Sequence, residues 1–154
     1  MTYALDTNTV SYILRNEKGV RERWLHEERL GWRLTIPLVA YYEVKRGLLA
    51  VRSSTKLALF EGICETLRVD PLTVRDMDIA AGIYAHRKAL GRPMDASDLL
   101  IAAQCISNGH TLVTNNTRHF EGIDDLRIDD WVKQKLCKMR NLTPLHLSLL
   151  LHSA

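Results

Sequence analysis

Short apolar runs recur along this chain, each too brief for a helix and each followed by a longer stretch with helical spacing. The runs are Tyr3-Ala4-Leu5, Leu34-Thr35-Ile36, Leu67-Arg68-Val69, Thr111-Leu112-Val113-Thr114 and Leu126-Arg127-Ile128. Strands separated by helices cannot close as hairpins; they pair in parallel through crossover connections. The alternation therefore predicts an α/β fold: one domain, with a central parallel sheet flanked by helices on both faces. A chain of 154 residues suffices for one such core and is short for two.

The intervening segments read as follows. One helix passes through Val10, Ile13 and Leu14, and a second runs around Val20 to Leu30. Pro37 suits the first position of a third, from about Leu38 to Val51, with Tyr41, Val44, Leu48 and Val51 at helical spacing. Ser53 and Ser54 cap a fourth, from Lys56 to about Glu65. Thr73 and Asp76 have the spacing of a capping box, opening a helix with Met77, Ala80, Ala81 and Tyr84 on one face and its end near Gly91. The next, from Asp95 or Ala96 to Ser107, is apolar almost all round, as a buried central helix must be. The domain is expected over residues 1–132. Residues 133–154 form an extension rich in leucine, broken by Pro144 and too short to cross a bilayer.

Several function classes are excluded. Cys64, Cys105 and Cys137 are an odd set with no C-x-x-C pair, so reduced thiols are expected rather than a disulfide scaffold. No secretory signal opens the chain, and no uncharged stretch reaches the roughly 18 residues of a membrane span. A cytoplasmic protein is expected. There is no G-x-G-x-x-G, no Walker loop and no G-x-S-x-G elbow, and the histidines lack zinc-ligand spacing. A net charge of +3 permits a polyanionic partner without requiring one. The run His86-Arg87-Lys88, with Arg92 behind it, can hold phosphates or can be the solvated end of a helix.

Asp6, Glu43, Asp98 and Asn116 are distant in sequence, yet each follows a strand or opens a helix. In an open parallel sheet those positions share one edge, where ligands bind. Carboxylates gathered without matching cations repel unless a metal ion joins them, and hard divalent cations take oxygen ligands. Each also has an ordinary alternative: Asp6 as a helix cap, Glu43 paired with Arg46 one turn on, Asp98 complementing a helix dipole beneath an Asp95 cap, and Asn116 as a turn residue.

The blocks Tyr3-Ala4-Leu5-Asp6-Thr7-Asn8, Tyr42-Glu43-Val44-Lys45-Arg46-Gly47, Asp98-Leu99-Leu100-Ile101-Ala102-Ala103, Leu112-Val113-Thr114-Asn115-Asn116 before Phe120, and Leu126-Arg127-Ile128-Asp129-Asp130-Trp131 resemble the PIN-domain ribonucleases. Among these they most resemble the VapC toxins of type II toxin–antitoxin modules, over Met1 to about Val132. The resemblance implies an endoribonuclease that uses Mg²⁺, with Mn²⁺ able to substitute, and water as nucleophile. It implies Asp6 and Asp98 as metal ligands, Glu43 as a catalytic acid reaching the metal directly or through water, and Asn116 where many relatives carry a fourth acid. It further implies an RNA substrate, a homodimer, a VapB-type antitoxin and DNA contact only through that antitoxin. The alternative is a non-catalytic PIN-like module that binds RNA or antitoxin through the same groove.

Overall fold

Five short strands pair in parallel in the order β3-β2-β1-β4-β5: β1 (Thr2–Leu5), β2 (Arg33–Pro37), β3 (Arg68–Asp70), β4 (Thr111–Val113) and β5 (Arg127–Asp129). They belong to a computed structural model that describes residues 1–17 and 19–132; the extension expected over 133–154 lies outside the described residues. Across the centre, Tyr3 stands opposite Leu34 on one side and Thr111 on the other. The six α-helices among the described residues are α1 (Thr7–Leu14), α2 (Val20–Arg29), α3 (Leu38–Ala50), α4 (Ser54–Thr66), α5 (Val74–Ala89) and α6 (Ala96–Asn108).

From β1 the chain steps outward through β2 to β3, then returns across the sheet through α5 and α6 to β4 on the far side of β1. Right-handed crossovers put α1 to α4 on one face and α5 with α6 on the other. The packing agrees: α3 lies against α1 and α4, and α5 against α6. The direction of strand progression reverses between β1 and β4, so a crevice opens at their carboxyl ends.

The predicted buried helix is α6, whose Leu99, Ile101, Ala102, Ala103 and Cys105 are buried. Its one polar member in that run, Gln104, is only 1% exposed. Gln104 Nε2 donates to the carbonyls of Asp70 (2.7 Å) and Pro71 (3.0 Å), and its Oε1 accepts from the Leu38 N–H (3.2 Å). One amide thus fixes α6 along its axis against the ends of β3 and β2. That sets which residues of the first turn of α6 reach the strand edge.

Three details differ from the sequence expectations. Pro37 ends β2 in extended geometry and stands at the N-cap of α3, one position before the helix proper. Ser53 occupies the N-cap of α4 without a side-chain bond to it. On α5 the apolar face is rotated: Met77, Ala81 and Tyr84 are exposed, while Asp76, Ile79, Ala80 and Ile83 face inward. The helical period offers both faces. The capping box, in which Asp76 Oδ2 accepts from the Thr73 N–H (2.7 Å) and hydroxyl (2.8 Å), turns the isoleucine face onto Leu99 and Ala103. Cys64 and Cys105 are free thiols; Cys137 falls outside the described residues. No helix of the described residues is long and apolar enough to cross a membrane.

Replacing Gln104 by leucine keeps the volume but strands the buried Asp70 carbonyl, at about 1–3 kcal/mol, and the part-buried Pro71 carbonyl and Leu38 N–H at less. We expect Gln104→Leu to lower stability by about 3 kcal/mol, read as a reduced urea midpoint with unchanged slope. An unchanged midpoint would mean that apolar contact alone places α6.

Candidate metal centre

Asp6 follows β1 directly and is the N-cap of α1. It is 4% exposed, and three bonds fix it. Its backbone N–H donates to the Val113 carbonyl of β4 (3.2 Å), Oδ1 accepts from the Thr9 N–H (2.6 Å), and Oδ2 accepts from the Thr114 hydroxyl (2.5 Å). Thr9 is buried beside it and donates its own hydroxyl to Val113 O (2.8 Å). These contacts stitch the ends of β1 and β4 together at the point where strand order reverses. Asp6 is thus a helix cap, and it also stands in the crevice where such sheets hold ligands.

Burial lifts the Asp6 carboxyl above its ordinary value of 3.8; the bonds from Thr114 and Thr9 pull it down by less, and the Asp98 carboxylate nearby pushes it up again. Two neighbouring carboxylates, one enclosed, leave a deficit of positive charge. A divalent cation is the species that would balance it.

Asp98 lies in the first turn of α6, but capping falls to Asp95, whose Oδ1 accepts from the Ser97 N–H (2.9 Å). Asp98 Oδ2 instead meets His119 Nδ1 at 3.0 Å. Glu43, half-buried on α3, accepts a 2.5 Å bond from the Thr7 hydroxyl, next in sequence to Asp6. Arg46 lies over the Tyr42 ring (5.2 Å to its centroid) rather than pairing with Glu43. Asn116 caps the 3-10 turn Thr117–Phe120, and its N–H donates to the Thr114 hydroxyl oxygen (3.0 Å). The structure therefore links Asp6 to Asp98 electrostatically, brings Glu43 beside it through Thr7, and attaches Asn116 by its backbone.

Among the described residues no three His, Cys, Asp or Glu side chains form a ready-made metal cage. A small hard cation does not need one: one or two carboxylates suffice, with water and phosphate completing the shell. Each Asp6 oxygen accepts a single protein hydrogen bond and keeps a lone pair for a ligand. Asp6 and Asp98 fit a divalent cation on these grounds, and neutral Asn116 adds no charge that would call for a second.

Thr7, Thr9 and His119 were not among the residues expected from sequence. The threonines follow Asp6 within one helical turn, a spacing typical of hydroxyl-rich helix starts. His119 gave no signal beyond lying three residues after the Asn115-Asn116 block. In the basic run, Arg87 is committed to structure: Nη1 donates to Glu121 O (2.8 Å) and Nε to Arg92 O (3.2 Å). Lys88 lies over the Tyr84 ring (5.6 Å to its centroid).

The PIN domain family model matches residues 3–126. The tRNA(fMet)-specific endonuclease VapC of Shigella flexneri is 32% identical over 138 residues, covering 85% of this chain and 98% of its own. Ribonuclease VapC1 of Haemophilus influenzae strain R2866 is 29% identical over 136 residues, covering 86% of this chain and 100% of its own. In the DNA-bound VapBC crystal structure from Salmonella typhimurium, the similar chain has a TM-score of 0.75 and 30% identity, covering 85% of this chain and 98% of that one. The DNA-bound VapBC2 structure from Rickettsia felis gives 0.77 at 21% identity, covering 85% and 99%, a likeness of fold.

Asp6→Asn removes the buried charge and keeps an acceptor for the cap. Because the carboxyl lies above 3.8 in the folded state, metal-free wild type loses stability as pH rises from 3.8 through that raised value. In EDTA, the melting temperature of Asp6→Asn should exceed wild type at pH 7, and the gap should close near pH 4. Mn²⁺ should then raise the melting temperature of wild type but not of the variant. Equal responses to Mn²⁺ would remove Asp6 from the metal site.

Proposed function

This chain belongs to the PIN-domain family, in its VapC-type branch, and from that premise we propose that it is a divalent-metal-dependent endoribonuclease acting as the toxin of a toxin–antitoxin pair. The observation that carries the proposal is the enclosed Asp6 carboxylate beside Asp98, at the crevice between β1 and β4, with no positive side chain among the described residues bonded to Asp6. Glu43 and Thr7 flank it.

Asp6 and Asp98 would hold the metal; Mg²⁺ is the expected ion, with Mn²⁺ able to substitute. The ion would neutralise charge on the phosphodiester and make bound water a stronger nucleophile. The chain supplies position. Asp6 is held in one orientation, because Oδ1 is tied to the first turn of α1 through the Thr9 N–H and Oδ2 to the end of β4 through the Thr114 hydroxyl. Glu43, tethered by the Thr7 hydroxyl, would orient a water for attack. Asn116 stays neutral beside Thr114 and supplies an amide rather than a fourth charge.

The Shigella and Salmonella relatives are named for tRNA(fMet), which makes that RNA the first substrate to try. Solved neighbours include the VapBC assemblies of Rickettsia felis, Salmonella typhimurium and Haemophilus influenzae, the first two bound to DNA. They support a VapB-type antitoxin partner whose tail would enter the carboxylate groove, with DNA reached only through that partner. A homodimer in the cytoplasm completes the reading. The second reading, a non-catalytic module binding RNA or antitoxin, rests on Asn116. It ranks lower because Asp6, Glu43 and Asp98 all keep their carboxylates.

Purified protein, freed of antitoxin by denaturation and refolding, should cleave total RNA and tRNA(fMet) into discrete fragments with Mg²⁺ or Mn²⁺ and not with EDTA. Asp98→Asn should reduce the rate by about 100-fold or more, the equivalent of several kcal/mol of transition-state stabilisation. Identical wild-type, Asp98→Asn and EDTA lanes would favour the binding module.

A further inference from the structure

Asp6 and Asp98 are far apart in the chain, yet a short continuous segment spans them. The Thr114 hydroxyl donates to Asp6 Oδ2 (2.5 Å), the Asn116 N–H donates to the Thr114 hydroxyl oxygen (3.0 Å), and the His119 N–H donates to the Asn116 carbonyl (3.1 Å). The His119 ring then meets Asp98 Oδ2 at 3.0 Å. We propose that His119 is the positioning residue for Asp98: Nδ1–H donates to Oδ2, fixing the carboxylate so that its other oxygen serves the metal. The inference rests on the metal-dependent reading of this site.

The ring itself is exposed, at 59% of the side chain, but its backbone is clamped on both sides. Phe120 is buried, and the Arg87 guanidinium holds the Glu121 carbonyl at 2.8 Å while also bonding Arg92 O. The 3-10 turn is thereby fixed against α5, and the imidazole is carried to α6. Asp95 caps α6, so Asp98 is not engaged in the capping bond. An exposed His–Asp pair contributes little to folding, so stability does not account for so elaborate a mounting. Holding a ligand carboxylate in one orientation does, because hydrogen-bonded partners of metal ligands commonly change metal affinity by about 10- to 100-fold. A carboxylate acceptor also requires the proton on Nδ1, which leaves Nε2 facing away from Asp98.

Nδ1 and Nε2 can be told apart by substitution. The amide nitrogen of asparagine occupies the place of Nδ1, whereas that of glutamine reaches the place of Nε2. Mn²⁺ binding to the full chain without RNA, followed by electron paramagnetic resonance of free Mn²⁺, should weaken about 10-fold in His119→Ala and His119→Gln. In His119→Asn it should stay near wild type. Melting temperatures of all three in EDTA should match wild type. Nitrogen-15 spectra of the wild-type ring at pH 8 should show Nδ1 bearing a proton. Unchanged Mn²⁺ affinity in His119→Ala, rescue by Gln and not Asn, or a bare Nδ1 would each overturn the assignment. Wild type that takes up no Mn²⁺ would overturn the metal reading itself, and the ring spectrum would still decide the hydrogen bond.

Discussion

Everything at the centre of this molecule depends on one enclosed carboxylate that ties the start of α1 to the end of β4. Asp6 follows β1, caps α1 and receives the Thr114 hydroxyl from just past β4. Burying a carboxylate without a matching cation is unfavourable, and the hydrogen bonds from Thr9 and Thr114 offset that cost only in part, as its raised proton affinity records. The rest of the architecture can be read as the support this requires. β1 is central, its neighbours are parallel, and α6 is pinned by Gln104 so that its first turn meets the same edge.

Much of this was legible in the sequence, for identifiable reasons. Strands and helices announced themselves by apolar period, and the all-round apolar character of α6 required burial. Asp6 and Asp98 could be placed on one edge because parallel topology makes all strand ends coincide. The family resemblance is matched by a family model covering residues 3–126. What could not be read were choices between equivalent options and contacts across long separations. The face of α5 was ambiguous because residues 77, 81 and 84 and residues 76, 79, 80 and 83 both keep helical spacing. Gln104 looked like an intruder in an apolar helix, since its partners lie 34 and 66 residues away. His119 was invisible for the same reason: nothing local ties an exposed histidine to an aspartate 21 residues earlier.

The threonines around Asp6 show why a hydroxyl serves here better than a cation. Lysine or arginine at position 9 or 114 would neutralise Asp6 permanently and leave no role for a metal ion. A hydroxyl gives direction without charge. The Thr114 hydroxyl, with the Thr9 N–H, holds the carboxylate in place and leaves the charge deficit open, and the Thr7 hydroxyl does the same for Glu43.

The segment from Thr114 to His119 has a further consequence. Between the Thr114 hydroxyl and the His119 ring its bonds are made by backbone groups of Asn116 and His119, so side chains at 117 and 118 can vary without altering the span. Its length cannot. Adding or removing one residue would turn the ring at 119 away from Asp98 and shift Phe120 out of the core. Along this stretch, evolution and engineering alike should find substitution cheap and insertion or deletion intolerable. The segment behaves as a ruler whose number of residues, more than their identity, is under constraint.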